Sequence, residues 1–139
     1  MTTPTARLRA AVRNDEGSAS LELAIVFPVL LLIVVALLQY GLWFHARTLA
    51  QAAAAEGAAT GRAQGATLDA GRTRAEAFLA EHAADLLLEP AVTAITPSPG
   101  HVAVEVRGRS LSLLPLVPGP LIVQSAQGPV ERFTRPDQP

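Results

Sequence analysis

Apolar and polar positions divide the chain into three regimes. From residue 23 to residue 38, 16 apolar residues follow one another, and after Gln39 the sequence Tyr40-Gly41-Leu42-Trp43-Phe44 extends the run to 22. At 1.5 Å per residue such a helix reaches roughly 33 Å, against a hydrocarbon core of about 30 Å, so the run predicts a membrane-spanning helix. Tyr40 and Trp43 fall near its end, where amphipathic rings favour the membrane interface, and Arg47 follows just beyond. Pro28, early in the run, removes one helical hydrogen bond and predicts a local kink.

The second regime is helical but no longer uniformly apolar. Residues 45–61 hold no strong breaker before Gly57, so the helix is expected to continue outward as a stalk. Ala53, Gly57, Gly61 and Gly65 recur every four residues and form a smooth ridge of the kind that lets helix backbones approach closely. Its partner is either a helix of another subunit or this chain's own domain, and the three glycines of "GAATGRAQG" equally allow a flexible linker over 57–68. Over residues 69–88 the period is again that of a helix. Ala75, Phe78, Leu79, His82 and Leu86 share one face, which makes His82 a packed or half-buried histidine rather than a ligand, while Arg74, Glu76, Glu81 and Asp85 stay solvated. Glu89-Pro90 is expected to end this helix.

In the third regime the period drops to two. Val102, Val104 and Val106 alternate with Ala103, Glu105 and Arg107, the pattern of a strand with one buried face. Residues 91–96 predict an earlier strand joined to it through the turn Pro97-Ser98-Pro99-Gly100, and residues 121–126 a third, after a segment broken by Pro115, Pro118 and Pro120. The expected fold is therefore α+β: a long N-terminal transmembrane helix, then a small domain of one amphipathic helix laid on a three-stranded antiparallel sheet. Residues 135–139 read as a frayed tail.

Composition narrows the function classes. A span within 139 residues leaves fewer than about 100 for a soluble core. Half of the residues are hydrophobic but only 4% are aromatic, which favours helices with small-residue faces. A net charge of -1 and a pI near 6.3, with every basic residue an arginine and none clustered, exclude a nucleic-acid footprint. The absence of cysteine excludes disulfides and thiolate metal sites. Arg7, Arg9 and Arg13 precede the span, against Arg47 and Arg62 within about 20 residues after it, a bias that sets the N-terminus in the cytoplasm and the rest outside. A secretory signal is the competing reading, because Ala50-Gln51-Ala52 offers a small-x-small cleavage pattern, but the run is longer than the 7 to 15 or so residues of a signal's apolar region.

One carboxylate stands at the front of the span. Gly17-Ser18-Ala19-Ser20-Leu21-Glu22 places an acid five residues after a glycine, with small residues between. A glycine ahead of a scissile bond lets the backbone lie extended in a narrow protease site. A carboxylate entering the bilayer costs about 2.5–3.5 kcal/mol at the centre, so one that is kept there calls for a partner. The plain alternative makes Glu22 a first-turn acid at headgroup level, favoured by the helix dipole, with Ser18 or Ser20 as the N-cap.

These residues resemble the processing site of type IV pilin precursors, in which a membrane peptidase cuts after the glycine. Over "GSASLELAIVFPVLLLIVVALLQYG" and "FHARTLAQAAAAEGAATGRAQG" the chain is similar to TadE-like pseudopilins of tight-adherence (Tad) pilus systems, at Glu22, Leu23, Ala24, Pro28, Glu56 and Gly57. An arginine often follows the Glu-Gly-Ala of that family, whereas Ala59 stands there in this chain and Arg62 comes three later. The resemblance implies cleavage between Gly17 and Ser18; the amine freed there is, by charge, a natural partner for Glu22 of a neighbouring subunit, and the ridge through Ala53, Gly57 and Gly61 offers helix packing. It also implies a single-pass, N-in protein of the cell membrane whose partners are the prepilin peptidase, other pilins and pseudopilins, and membrane lipid. The corresponding organisation is a leader over 1–17, a helix with its outward extension over 18–65, and a small domain over 66–134. Major pilins of such systems end soon after the helix, so the extra domain points to a minor component.

No nucleophile–base pair, phosphate loop or paired carboxylates are apparent, and His45, His82 and His101 fall in three different contexts. Neither a cofactor nor a small-molecule substrate is expected. The competing function is a membrane-anchored binding module, with the helix as a plain tether.

Overall fold

The computed structural model describes the backbone of residues 5–131 and the side chains of residues 19–131. Five elements follow in order: α1 Thr5–Arg62, α2 Leu68–His82, β1 Leu87–Ile95, β2 His101–Ser110 and β3 Leu121–Pro129. The fold is the expected α+β arrangement. Two compact units make it up, Met1–Leu38 and Gln39–Pro139.

The first unit holds only α1, which passes through Pro28 without ending. Leu23, Ile25, Phe27, Leu31 and Leu37 each expose more than half of their surface. A helix that satisfies its own backbone hydrogen bonds while presenting apolar side chains outward is built for hydrocarbon. Residues 19–62 are long and apolar enough to cross a membrane, and the most apolar window has no cover within the chain.

In the second unit, three antiparallel strands run in the order β1-β2-β3. Val104 of β2 stands opposite Ala94 of β1 and Ala126 of β3, and Val106 opposite Val92 and Gln124, so one face of the sheet is apolar across all three strands except at Gln124. Val102, Val104 and Val106 are buried as their alternation requires. The β1–β2 turn closes with the His101 amide donating to Ser98 O, and Gly100 takes the left-handed φ of 77° that a side chain would resist.

Two helices, not one, cover that face. Besides α2, which buries Gly71, Ala75 and Leu79, the outer half of α1 contributes Ala46, Ala50, Ala53, Ala54 and Ala58 to the same core. Helices with alanine and glycine on their contact faces approach closely, and this offsets the shortage of large side chains noted in the composition. Residues 39–62 are thus both the continuation of the apolar helix and the central support of the small domain. The helix runs to Arg62, and Gly65 lies in the turn that follows, at φ 76°.

The expected helix over 69–88 is corrected to Leu68–His82. Thr67 caps its start, its Oγ1 accepting from the Ala70 amide at 3.1 Å, with Asp69 in the first turn. Arg72, held between Asp69 and Glu76, has its pKa raised, first by the hydrogen bond to Asp69 and then by the Glu76 charge. Nothing local stops the helix at His82, because Ala83-Ala84-Asp85-Leu86-Leu87 is acceptable helical sequence. Strand pairing stops it instead: Leu87 stands opposite Ser110 and is 1% exposed, and the Leu111 amide donates to Leu86 O at 3.0 Å. The first strand accordingly starts at Leu87 rather than residue 91, and the third extends to Pro129 rather than residue 126. A bulge between Leu88 and Ala91, with Glu89 at φ 51°, supplies the extra residue that lets Leu87 and Val92 face the same core although they are an odd number apart.

Candidate membrane and assembly surface

Glu22 sits on α1 with an exposed side chain and has no hydrogen bond or ion pair among the described residues. It is not a first-turn acid in this chain, because α1 begins at Thr5 and its first turn holds no acidic residue. The reading that made Glu22 a dipole-favoured residue at a helix start, capped by Ser18 or Ser20, is therefore corrected for the uncleaved helix. For Gly17 and Ser18 only the backbone is described. Ordinary helical backbone connects them, so a protease would have to open the helix there, at two of its weaker formers.

The end of the apolar run carries an aromatic cluster. The Tyr40 ring lies 5.8 Å from Trp43 and 6.3 Å from Phe44, and the Arg47 guanidinium sits 5.7 Å above Trp43. Rings that offer an apolar body with a polar or cationic cap are the residues favoured at a membrane interface. Gln39, immediately before them, uses both ends of its amide: Nε2 donates to Leu111 O at 2.9 Å and Oε1 accepts from the Leu113 amide at 2.9 Å. The sequence reading passed over this clamp, although a lone amide within an apolar run was its visible signal.

Of the two partners left open for the ridge, this chain's own domain occupies it. A Cβ on Gly57 would stand 2.7 Å from Gly71 O and 2.9 Å from the Ala75 Cβ, and one on Gly71 would stand 2.7 Å from Gly57 O. A Cβ on Gly61 would stand 3.1 Å from Val102 Cγ1, and Ala53 is fully buried. Beside the crossing, Arg74 Nη2 pairs with Glu56 Oε2 at 3.3 Å, an exposed contact of small weight.

The chemistry of the remaining surface is sparse. A cleft of about 300 Å³ opens between α2 and β1, lined by Leu79, Ala83, Leu87 and Val92 with Glu76 and Glu89 at its rim, and Arg72 already engages Glu76 at 2.9 Å. Among the described residues no group of three or more His, Asp or Glu side chains is placed to hold a metal. His82 is half-exposed, with 46% of its side chain accessible, its ring stacked at 4.4 Å on Phe78 and its Nδ1 3.1 Å from Phe78 O, while His45 and His101 are exposed.

Comparison with known families places one segment. The model of the TadE-like protein family matches residues 17–59, from Gly17 through Glu22 and the apolar run into the outer half of α1. No curated protein and no solved structure matches the chain. The match begins at the glycine and ends on the helical turn that crosses α2, so it covers the uncovered apolar helix, its carboxylate and its aromatic end. Over residues 17–59, about a third of its length, the chain is similar to TadE-like proteins.

Proposed function

We infer that the chain is a minor pseudopilin of a Tad-type pilus or secretion apparatus, anchored with its N-terminus in the cytoplasm and cut by a prepilin peptidase between Gly17 and Ser18. The observation that carries this reading is the combination on α1 of uncovered apolar residues with a carboxylate, Glu22, for which the described residues supply no partner. Lipid covers the first and does nothing for the second. Once the leader is gone, Ser18 presents a free amine, and a neighbouring subunit's amine meets Glu22 as opposite charges in a low-dielectric setting. The similarity to TadE-like proteins, components of Tad pili, supports the same assignment. Against the secretory alternative stands Ala50, which is fully buried in the helix that supports the domain, so a cut beside it would remove half of that support.

In this account the helix assembles and the outer domain meets other pilins and pseudopilins. Glu22→Ala and Glu22→Gln are both expected to leave membrane insertion intact and to lower recovery with pilus components by about tenfold or more, the loss of a charge-assisted contact worth roughly 1.4 kcal/mol or above. The readout is co-purification from solubilised membranes. Unchanged recovery for both variants favours the tethered binding module and overturns the docking role.

A further inference from the structure

The outer unit carries a second apolar surface, outside the span. Residues 110–130 contain no charged residue and no histidine, and within them Leu113, Leu114, Leu116 and Val117 are exposed, Leu116 at 104%. This loop is held firmly. The Gln39 amide clamps Leu111 and Leu113, the Ser110 amide donates to Pro120 O at 3.1 Å, and Arg109 Nη1 donates to Gly119 O at 3.2 Å.

Its tip is a tight turn in which the Val117 amide donates to Leu114 O at 3.4 Å, with Pro115 second and Leu116 third at φ 65°. Proline followed by a positive φ is the pattern of a type II turn, whose third position ordinarily takes glycine. A leucine there accepts backbone strain while placing its whole side chain in the surroundings. In water both features are unfavourable, and in hydrocarbon the exposed leucine is favoured.

The anchor point names the occupant. Gln39 directly follows the uninterrupted apolar stretch 23–38, and Tyr40, Trp43 and Phe44, the interfacial rings that end the run, come next. A loop clamped to that residue is held at the level where the chain leaves the bilayer. We propose that residues 113–117 insert into the outer leaflet of the membrane that α1 crosses, so that the outer domain is docked on lipid as well as tethered to it. The proposal rests on the reading of α1 as a membrane span. Lipid, rather than a protein partner, fits a tip with only aliphatic side chains and proline, no charge, and a guanidinium, that of Arg109, bound at its base.

Because the chain has no cysteine, single labels report on this directly. Full-length Leu116→Cys and, separately, Val117→Cys carry an environment-sensitive fluorophore in vesicles of phosphatidylcholine and phosphatidylglycerol, with Leu31→Cys in the span and Ala77→Cys on α2 as references. The labels at 116 and 117 are expected to be quenched by spin-labelled lipid as at 31, and by aqueous iodide roughly fivefold less than at 77. Quenching at 116 and 117 like that at 77, with 31 in lipid, overturns the loop insertion and leaves the span. Shielding from both quenchers means that protein covers the tip, and also overturns it. Aqueous behaviour at 31 as well removes the span reading with it.

Discussion

Gly57→Leu is expected to unfold the outer domain. At the crossing of α1 and α2 the atoms nearest to a Cβ on Gly57 are a backbone oxygen, Gly71 O at 2.7 Å, the Ala75 Cβ at 2.9 Å and Val104 Cγ1 at 3.2 Å. None is the loose end of a flexible side chain, so the two helices and the sheet must separate. Overpacking a tight site costs about 1–3 kcal/mol for modest additions, and four carbons between two helices and a strand exceed that range. A small domain with a net stability on the order of 5 kcal/mol has little margin for the loss. Gly57→Ala separates two effects of opposite sign: helix propensity alone favours alanine by about 1 kcal/mol, whereas the 2.7 Å approach opposes it. The net expectation is a loss of about 1–2 kcal/mol. Thermal unfolding of the full-length protein in detergent checks both, with Ala59→Leu, exposed on the same helix, expected to melt as the parent does. A Gly57→Leu protein that melts with the parent removes the close crossing from the account.

Gly119→Ala is the second large effect, and it is expected to be local. A Cβ there would collide with Ser110 O and lie 2.7 Å from Ser110 C, closer than real contacts come, and Ser110 is fully buried. The difference from Gly57 lies in what can move. Residues 111–120 have solvent or lipid on one side, so the segment can swing away by giving up the Ser110–Pro120 hydrogen bond and the Arg109 contact. Hydrogen exchange at the Ser110 amide is expected to accelerate on the order of 10- to 100-fold, with a smaller fall in melting temperature than for Gly57→Leu. Unchanged exchange at Ser110 contradicts the close packing of Gly119.

The extent to which the fold was readable follows from which interactions are local. The long apolar helix, its continuation to Arg62 and the valine strand were legible because each writes its period into consecutive residues, whereas the packing of residues 39–62 into the domain core, in place of a free stalk, was not. The end of α2 was not, because Leu86-Leu87-Leu88 suits a helix as well as a strand, and only the distant Ser110 and Leu111 decide between them. The bulge at Glu89 escaped for the same reason: it re-phases Leu87 with Val92 only when β2 is present. Gly57 and Gly61 stood out as a ridge, while the identity of their partner depended on Gly71, which sits in the middle of an otherwise ordinary helix. Gln39 stood out less, since the residues it clamps lie 72 and 74 positions away. Residues 113–117 read only as a proline-broken connection, because exposure, the property that gives their leucines meaning, is absent from a periodicity. Glu22 was the exception among the candidate residues: a carboxylate ahead of an apolar run is conspicuous in sequence, and the described residues supply no partner that would absorb it.

The central claim is that the helix is a processed, assembling pilin helix rather than a tether, and the most direct test is the mass and N-terminal residue of the protein extracted from its own membrane, with and without an active prepilin peptidase. The account predicts a chain that begins at Ser18 when the peptidase is active and retains residues 1–17 when it is not. A chain that keeps those residues in both samples contradicts it and leaves a tethered outer domain, and a chain that begins near Ala52 contradicts it in favour of secretion.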